Sequence, residues 1–247
     1  MAAVPAHTFL PCLYIADVPA VLPLHSHVQP IRPRGHTEAR SLPRHISCHT
    51  PDSPLPSMGR MRLRSRAMTP APEHFDDIHA HSRTGERILT SVRPSEMPAH
   101  PAAKAWYSIG IHPWDTGSPI PNSEWSLLEG LAVNPKVAAI GEAGLDAIRG
   151  GDPATQEVVF RRQAALAEKC GKFLMIHCVR RYGRLMELKR ELKPSVRWII
   201  HGFCGKTELA RQLLAAGFEL SLRTGCPRET ELRKAFPDTI FFSETDQ

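Results

Sequence analysis

No apolar run in the chain is long enough to cross a bilayer as a helix, and the N-terminus lacks a basic stretch followed by an uninterrupted apolar segment, so neither a membrane span nor a secretory signal is expected. A cytoplasmic protein is the expectation. The six cysteines, Cys12, Cys48, Cys170, Cys178, Cys204 and Cys226, include no CxxC pair and no regular spacing; this argues against a thiolate zinc site and a disulfide framework and predicts reduced thiols. No internal repeat is present. Lysine is missing from residues 1–70, where eight Arg face Asp17, Glu38 and Asp52 for a net +5, while the remainder holds 23 basic against 22 acidic residues. The overall charge of +6 therefore belongs to the leader and says little about what the rest of the chain binds. Nor does any basic stripe interleaved with aromatics mark a nucleic-acid track.

What is present divides in two. Residues 1–73 are rich in Pro, Arg, His and Ser without a sustained apolar period, and are expected to form a disordered leader. As an organelle transit peptide it would be poor, because its prolines break the amphipathic helix such peptides need. The simpler reading is upstream translation ahead of a start at Met58, Met61 or Met68. Residues 74–247 instead alternate short apolar runs with amphipathic segments, the pattern of parallel strands joined by helical crossovers. Eight strands are predicted: His74 to His79, Arg87 to Val92, Trp106 to Ile111, Val137 to Gly141, Phe173 to His177, Arg197 to His201, Phe218 to Leu222 and Thr239 to Ser243. Helix signals lie between the later ones. Asp152 and Pro153 suit N-cap and N1, Gly171 suits C′, Thr207 and Gly217 bracket an apolar stripe of Leu209, Ala210, Leu213 and Leu214, and further helices are expected over Ser123 to Ala132 and Gly183 to Leu192. The fold class that follows is α/β, a compact TIM-type (β/α) barrel. Two features fit it badly. Residues between the first two strands are too few for a regular crossover, so strand two should be distorted or poorly paired. The chain also stops at Gln247, so the barrel should lack a closing C-terminal helix.

Several predicted strands share an ending that packing does not require: His79 and His81 in DIHAH, His112 in GIHPW, Glu142 in IGEAGLD, His177 in MIHC, His201 in IIHGF and Asp246 in SETD. Such ends form the catalytic face of a (β/α) barrel. Imidazole and carboxylate together suit divalent cations. Period two along a strand points His79 and His81 the same way, so both can grip one ion, while Glu142 has a second oxygen to offer an ion held by His177 and His201. Spacing alone proves nothing, since His25-Ser26-His27 repeats it in a proline-rich context, and a single strand-end His more often caps or hydrogen-bonds. Ionisable groups crowded at one mouth, however, are costly without a counter-ion.

FDDIHAH, YSIGIHPWD, AIGEAGLD, FLMIHCVRR, IIHGFCGK and FFSETD stand in the order and rough spacing of the TatD-family hydrolases, and this stretch of the chain resembles the smaller bacterial members of that metal-dependent amidohydrolase-like group. The resemblance implies two divalent ions (Mg, Mn or Zn), with His79 and His81 on one, His177 and His201 on the other, Glu142 bridging and Asp246 as the last ligand and proton acceptor. It also implies that His112, and Arg180 or Arg181, contact a scissile phosphate, that single-stranded DNA is the substrate of a 3′-5′ deoxyribonuclease, and that no membrane or obligate protein partner is needed. Two rivals remain at this stage: hydrolysis of an amide, lactone or small ester on the same site, and a truncated, inactive barrel.

Overall fold

A computed structural model describes residues 69–246. Most of the expected leader, with Cys12, Cys48, His25-Ser26-His27 and the candidate starts, lies outside the described residues. Eight strands form one sheet in sequential order: β1 (Asp77–Ala80), β2 (Ile88–Val92), β3 (Trp106–Ile109), β4 (Val137–Asp146), β5 (Phe173–Val179), β6 (Trp198–Ile200), β7 (Glu219–Arg223) and β8 (Phe242–Glu244). Every neighbouring pair is parallel, giving a nearly closed TIM-type barrel. Its helices are α1 (Asn122–Ala132), α2 (Pro153–Cys170), α3 (Tyr182–Leu192), α4 (Thr207–Ala215) and α5 (Glu229–Ala235). None of the helices among the described residues is long and apolar enough to cross a membrane.

The helix signals act as the chemistry requires. Asp152 accepts from the Ala154 and Thr155 amides with Pro153 at N1, and Gly171 takes a left-handed φ of 64° past the last turn. On α4, Ala210 and Leu213 are buried while Leu209 and Leu214 pack partly buried beside them. Short α5 was not anticipated, since its only buried residue is Leu232 and the sequence shows no apolar stripe there.

Three expectations are corrected. β2 is not poorly paired: it runs in register with β3 from Leu89–Trp106 to Val92–Ile109, and the irregularity lies on its β1 side. Residues 81–87 make this crossover without a helix, held by the Thr90 hydroxyl donating to the Arg83 carbonyl at 2.6 Å and by a Gly85–Ile88 bridge. β4 runs on to Asp146 with all its residues buried, because Gly144 lets it lie against the backbone of β5. Finally, Cys204 and Cys226 are not reduced thiols but a disulfide, their Cα atoms 5.9 Å apart. It joins the loop after β6 to the loop after β7, and a separation of 22 residues gives no hint of that in sequence. Cys178 is a free, buried thiol.

The core has two layers. Leu128, Phe160, Leu188, Trp198 and Leu213 belong to the one between helices and sheet. A second contains Leu89, Phe173, Met175, Ile199 and Phe242. Period two carries these last residues directly to the mouth: Phe173 and Met175 precede His177, Ile199 precedes His201, and Phe242 precedes Glu244. An apolar floor thus lies beneath an ionisable rim.

Candidate metal centre

Glu142 occupies the middle of the rim, 8% exposed, and its two oxygens face different partners. Oε1 lies 3.2 Å from His79 Nε2 and 3.4 Å from His81 Nε2. Oε2 lies 2.9 Å from His201 Nε2, 3.4 Å from His112 Nε2 and 3.8 Å from His177 Nδ1. Asp246 Oδ1 adds a carboxylate 3.7 Å from His79 and 3.6 Å from His81.

The spacing within each histidine pair is informative. His79 Nε2 and His81 Nε2 are 3.3 Å apart, as are His201 Nε2 and His177 Nδ1. Two nitrogens each bonded to one tetrahedral cation stand about 3.3 Å apart. Groups of donors that could share an ion are His79, His81 and Glu142; His79, His201 and Asp246; and His112, Glu142 and His177. The residues present therefore fit divalent cations.

A layer of carboxylates behind the rings sets their orientation. Asp146 Oδ2 accepts from His177 Nε2 at 3.0 Å and from the Trp114 indole N–H at 2.6 Å, which turns His177 Nδ1 toward Glu142. Glu244, 1% exposed, stands 3.6 Å from His201 Nδ1 and accepts from the Ser221 hydroxyl. Asp77 accepts from the Thr245 amide at 3.1 Å and its hydroxyl at 2.8 Å, one residue before Asp246. Two buried glutamines of α2 pin the strand ends: Gln163 exchanges hydrogen bonds with the Ile111 backbone, and Gln156 accepts from the Asp146 amide and donates to its carbonyl.

Electrostatics lead the same way. Burial works to raise the Glu142 pKa, but the charges of His201 and His79 and hydrogen bonds from His112 and His201 outweigh it and hold the carboxyl well below its ordinary range. His201 is pushed up: burial opposes its charge, and Glu142 and Glu244 overcome that. Its proton balances the carboxylates as a cation would. Burial and the neighbouring charges of His201 and His112 bring His177 down to about 4, so it is a neutral imidazole with a lone pair at neutral pH. Asp246, held low chiefly by the hydrogen bond from His81, is ionised there too.

Each residue singled out in the sequence has a definite place. His79, His81, Glu142, His177, His201 and Asp246 converge, and His112 joins them rather than standing apart. Arg180 is exposed on the loop after β5 with a left-handed φ of 55°, Arg181 precedes the first turn of α3, and neither lines the cavity of about 270 Å³ at the mouth. Trp114 and Arg93 do line it, and sequence reasoning passed over both. It also passed over Asp77, Asp146 and Glu244. Their signal was even spacing along the chain: Asp77 lies two positions from His79, Asp146 four from Glu142, and Glu244 two from Asp246 just past β8.

Residues 86–247 match the protein family described as TatD related DNase. His79 and His81 precede that stretch and are placed by geometry alone. Among curated relatives, the chain is 31% identical over 165 residues to a 3′-5′ ssDNA/RNA exonuclease TatD of Erwinia billingiae, covering 62% of this chain and 60% of the relative. It is 34% identical over 174 residues to the protein of the same description from Musicola paradisiaca, covering 66% and 64%. The chain thus spans less than two thirds of the length of these relatives. Its fold is similar to that of the TatD homologue YJJV of Escherichia coli k12, with a TM-score of 0.51 at 23% identity, covering 62% of this chain and 63% of that one.

Proposed function

Because the chain belongs to the TatD-related DNase family, we propose that residues 74–247 form a divalent-metal-dependent hydrolase domain that cleaves phosphodiester bonds of single-stranded nucleic acid, DNA foremost, from the 3′ end. The observation that carries this reading is Glu142 presenting one oxygen to the His79/His81 pair and the other to His177 and His201. Relatives described as 3′-5′ ssDNA/RNA exonucleases supply the substrate class.

His79 and His81 would hold one cation, His177 and His201 a second, with Glu142 between and Asp246 completing the set. When bound, such cations would supply Lewis acidity, lowering the pKa of water and offsetting the charge of a phosphodiester. Asp246, held ionised and lining the cavity, would take a proton from the attacking water. His112, 16% exposed at its side chain, is near enough to Glu142 to donate to a phosphate oxygen seated beside it. The apolar floor below prevents water from entering from the barrel side.

The test is hydrolysis of a 5′-labelled single-stranded oligodeoxynucleotide by chelator-stripped protein, before and after adding Mg, Mn or Zn, beside the double variant His79→Ala/His81→Ala. Cleavage restored by metal, progressing from the 3′ end and lost in the variant, is expected. Metal bound with no cleavage of any oligonucleotide would refute the nuclease reading.

A further inference from the structure

Trp114 differs from the other tryptophans in how it is held. Trp125 and Trp198 are buried at 6% and 0% exposure and Trp106 is partly buried against the core, whereas Trp114 is 46% exposed and lines the cavity at the barrel mouth. Burial does not fix its ring; hydrogen bonding does. Its indole N–H donates at 2.6 Å to Asp146, itself anchored by the Ile148 and Arg149 amides at 2.7 and 3.0 Å. The ring stands nearly perpendicular to those of His112 and His177, with centroids 4.7 and 5.7 Å away, and the Arg149 guanidinium lies over it at 4.5 Å. An apolar plane is thus locked in one orientation, one side chain away from the groups that would engage the scissile phosphate.

We propose that Trp114, backed by Arg149, is a stacking platform for the nucleobase of the nucleotide whose phosphate enters the site. This rests on the nuclease reading above and deepens it by assigning the base subsite. An aromatic plane is sequence-tolerant because every base has a π-face, so the platform gives grip on unpaired strands without base choice. Only an unstacked, single-stranded base can reach it. The plane is already ordered by Asp146, so binding loses little side-chain freedom. Arg149 strengthens the contact by adding positive charge beside a polyanion.

Trp114 also steadies Asp146 and through it His177, so the test has to separate stacking from positioning. Two oligothymidylates labelled with fluorescein at the 5′ end would be compared by anisotropy in chelator and by cleavage rate with Mn. One is normal and the other carries an abasic 3′-terminal residue. With the full-length protein, Trp114→Ala is expected to weaken binding of the normal strand roughly 5- to 150-fold, the range for loss of one stacked base. Binding of the abasic strand should change far less. Trp114→Phe, which keeps a ring but loses the bond to Asp146 that orders it, should recover part of the binding. Equal losses on both strands, or Phe no better than Ala, would overturn the platform while leaving the nuclease reading intact. If the unaltered protein cleaves neither strand with any metal, the nuclease reading itself fails and the subsite with it.

Discussion

Individual side chains at the mouth do separate jobs, which makes their substitutions distinguishable. Glu142→Gln removes the charge that serves both halves of the site, so the number of Mn or Zn ions bound, counted by elemental analysis, should fall below that of the unaltered protein. Retention of the full complement would show that Glu142 does not bridge. Asp146→Asn and Glu244→Gln leave the ligand atoms in place but loosen the rings they orient, and each should weaken metal affinity about 10- to 100-fold with the fold retained. Calorimetric titration beside far-UV circular dichroism would show this, and unaltered affinity in both would assign the two carboxylates to packing. The contrast explains what could be read from sequence. Ligand candidates ending apolar runs, such as His177 after FLMI and His201 after WII, announce themselves by chemistry that the local pattern does not need. Asp146 and Glu244 do not, because an acid past a strand end reads equally well as a cap, and only the fold shows Asp146 against His177. His112 is intermediate: its motif was noticed, but its distance from Glu142 depends on β3 and β4 being adjacent.

At the level of elements, the strand positions were legible because each apolar run is bounded by a turn or helix signal. Their ends were not. β4 continues past Gly141 to Asp146 because of a close approach no periodicity encodes: a Cβ on Gly144 would sit 1.8 Å from the His177 carbonyl oxygen. Gly144→Ala must push β5 away just where it carries a ligand, and should cost at least about 1–3 kcal/mol of stability as an overpacking change. Urea unfolding would measure it, and an unchanged midpoint would refute the contact. The outer face offers a pH-dependent counterpart. Glu157 on α2 is brought down to about 2, first by hydrogen bonding to Arg184 of α3 against the cost of burial, then by Arg161. Its pKa in the unfolded chain is near 4.5, so the stabilisation it gives is full above that pH and is lost as pH falls from about 4.5 towards 2. Partly exposed networks of this kind are worth roughly 1 kcal/mol or less. Glu157→Gln should accordingly lower the melting midpoint at pH 7 and leave it unchanged near pH 2. An equal deficit at both pH values would locate the effect in packing instead.

For the whole molecule, the seam between β8 and β1 joins the fold to the chemistry. Neighbouring strands elsewhere pair through backbone ladders, but among the described residues β8 and β1 have none. The seam is closed by the Asp246 amide donating to the His79 carbonyl at 3.1 Å and by the Asp77 carboxylate receiving the Thr245 amide and hydroxyl. Both closures lie at the mouth, and the first joins the backbones of two proposed ligands. A cation bound by the His79 and Asp246 side chains, as proposed, would therefore also hold the barrel shut, and by linkage would stabilise the closed form by about 2.7 kcal/mol at a hundredfold excess over its dissociation constant. Asp77 is not among the proposed ligands, yet its bonds to Thr245 set the position of Asp246. Asp77→Ala should speed hydrogen exchange of the Thr245 and Asp246 amides in metal-free protein, weaken metal binding, and lose most of the acceleration when Mn is added at saturation. The same amides exchanging at equal rates in the variant and the unaltered protein would mean that the seam closes without Asp77. Recovery absent at saturating metal would mean that closure and ligation are independent.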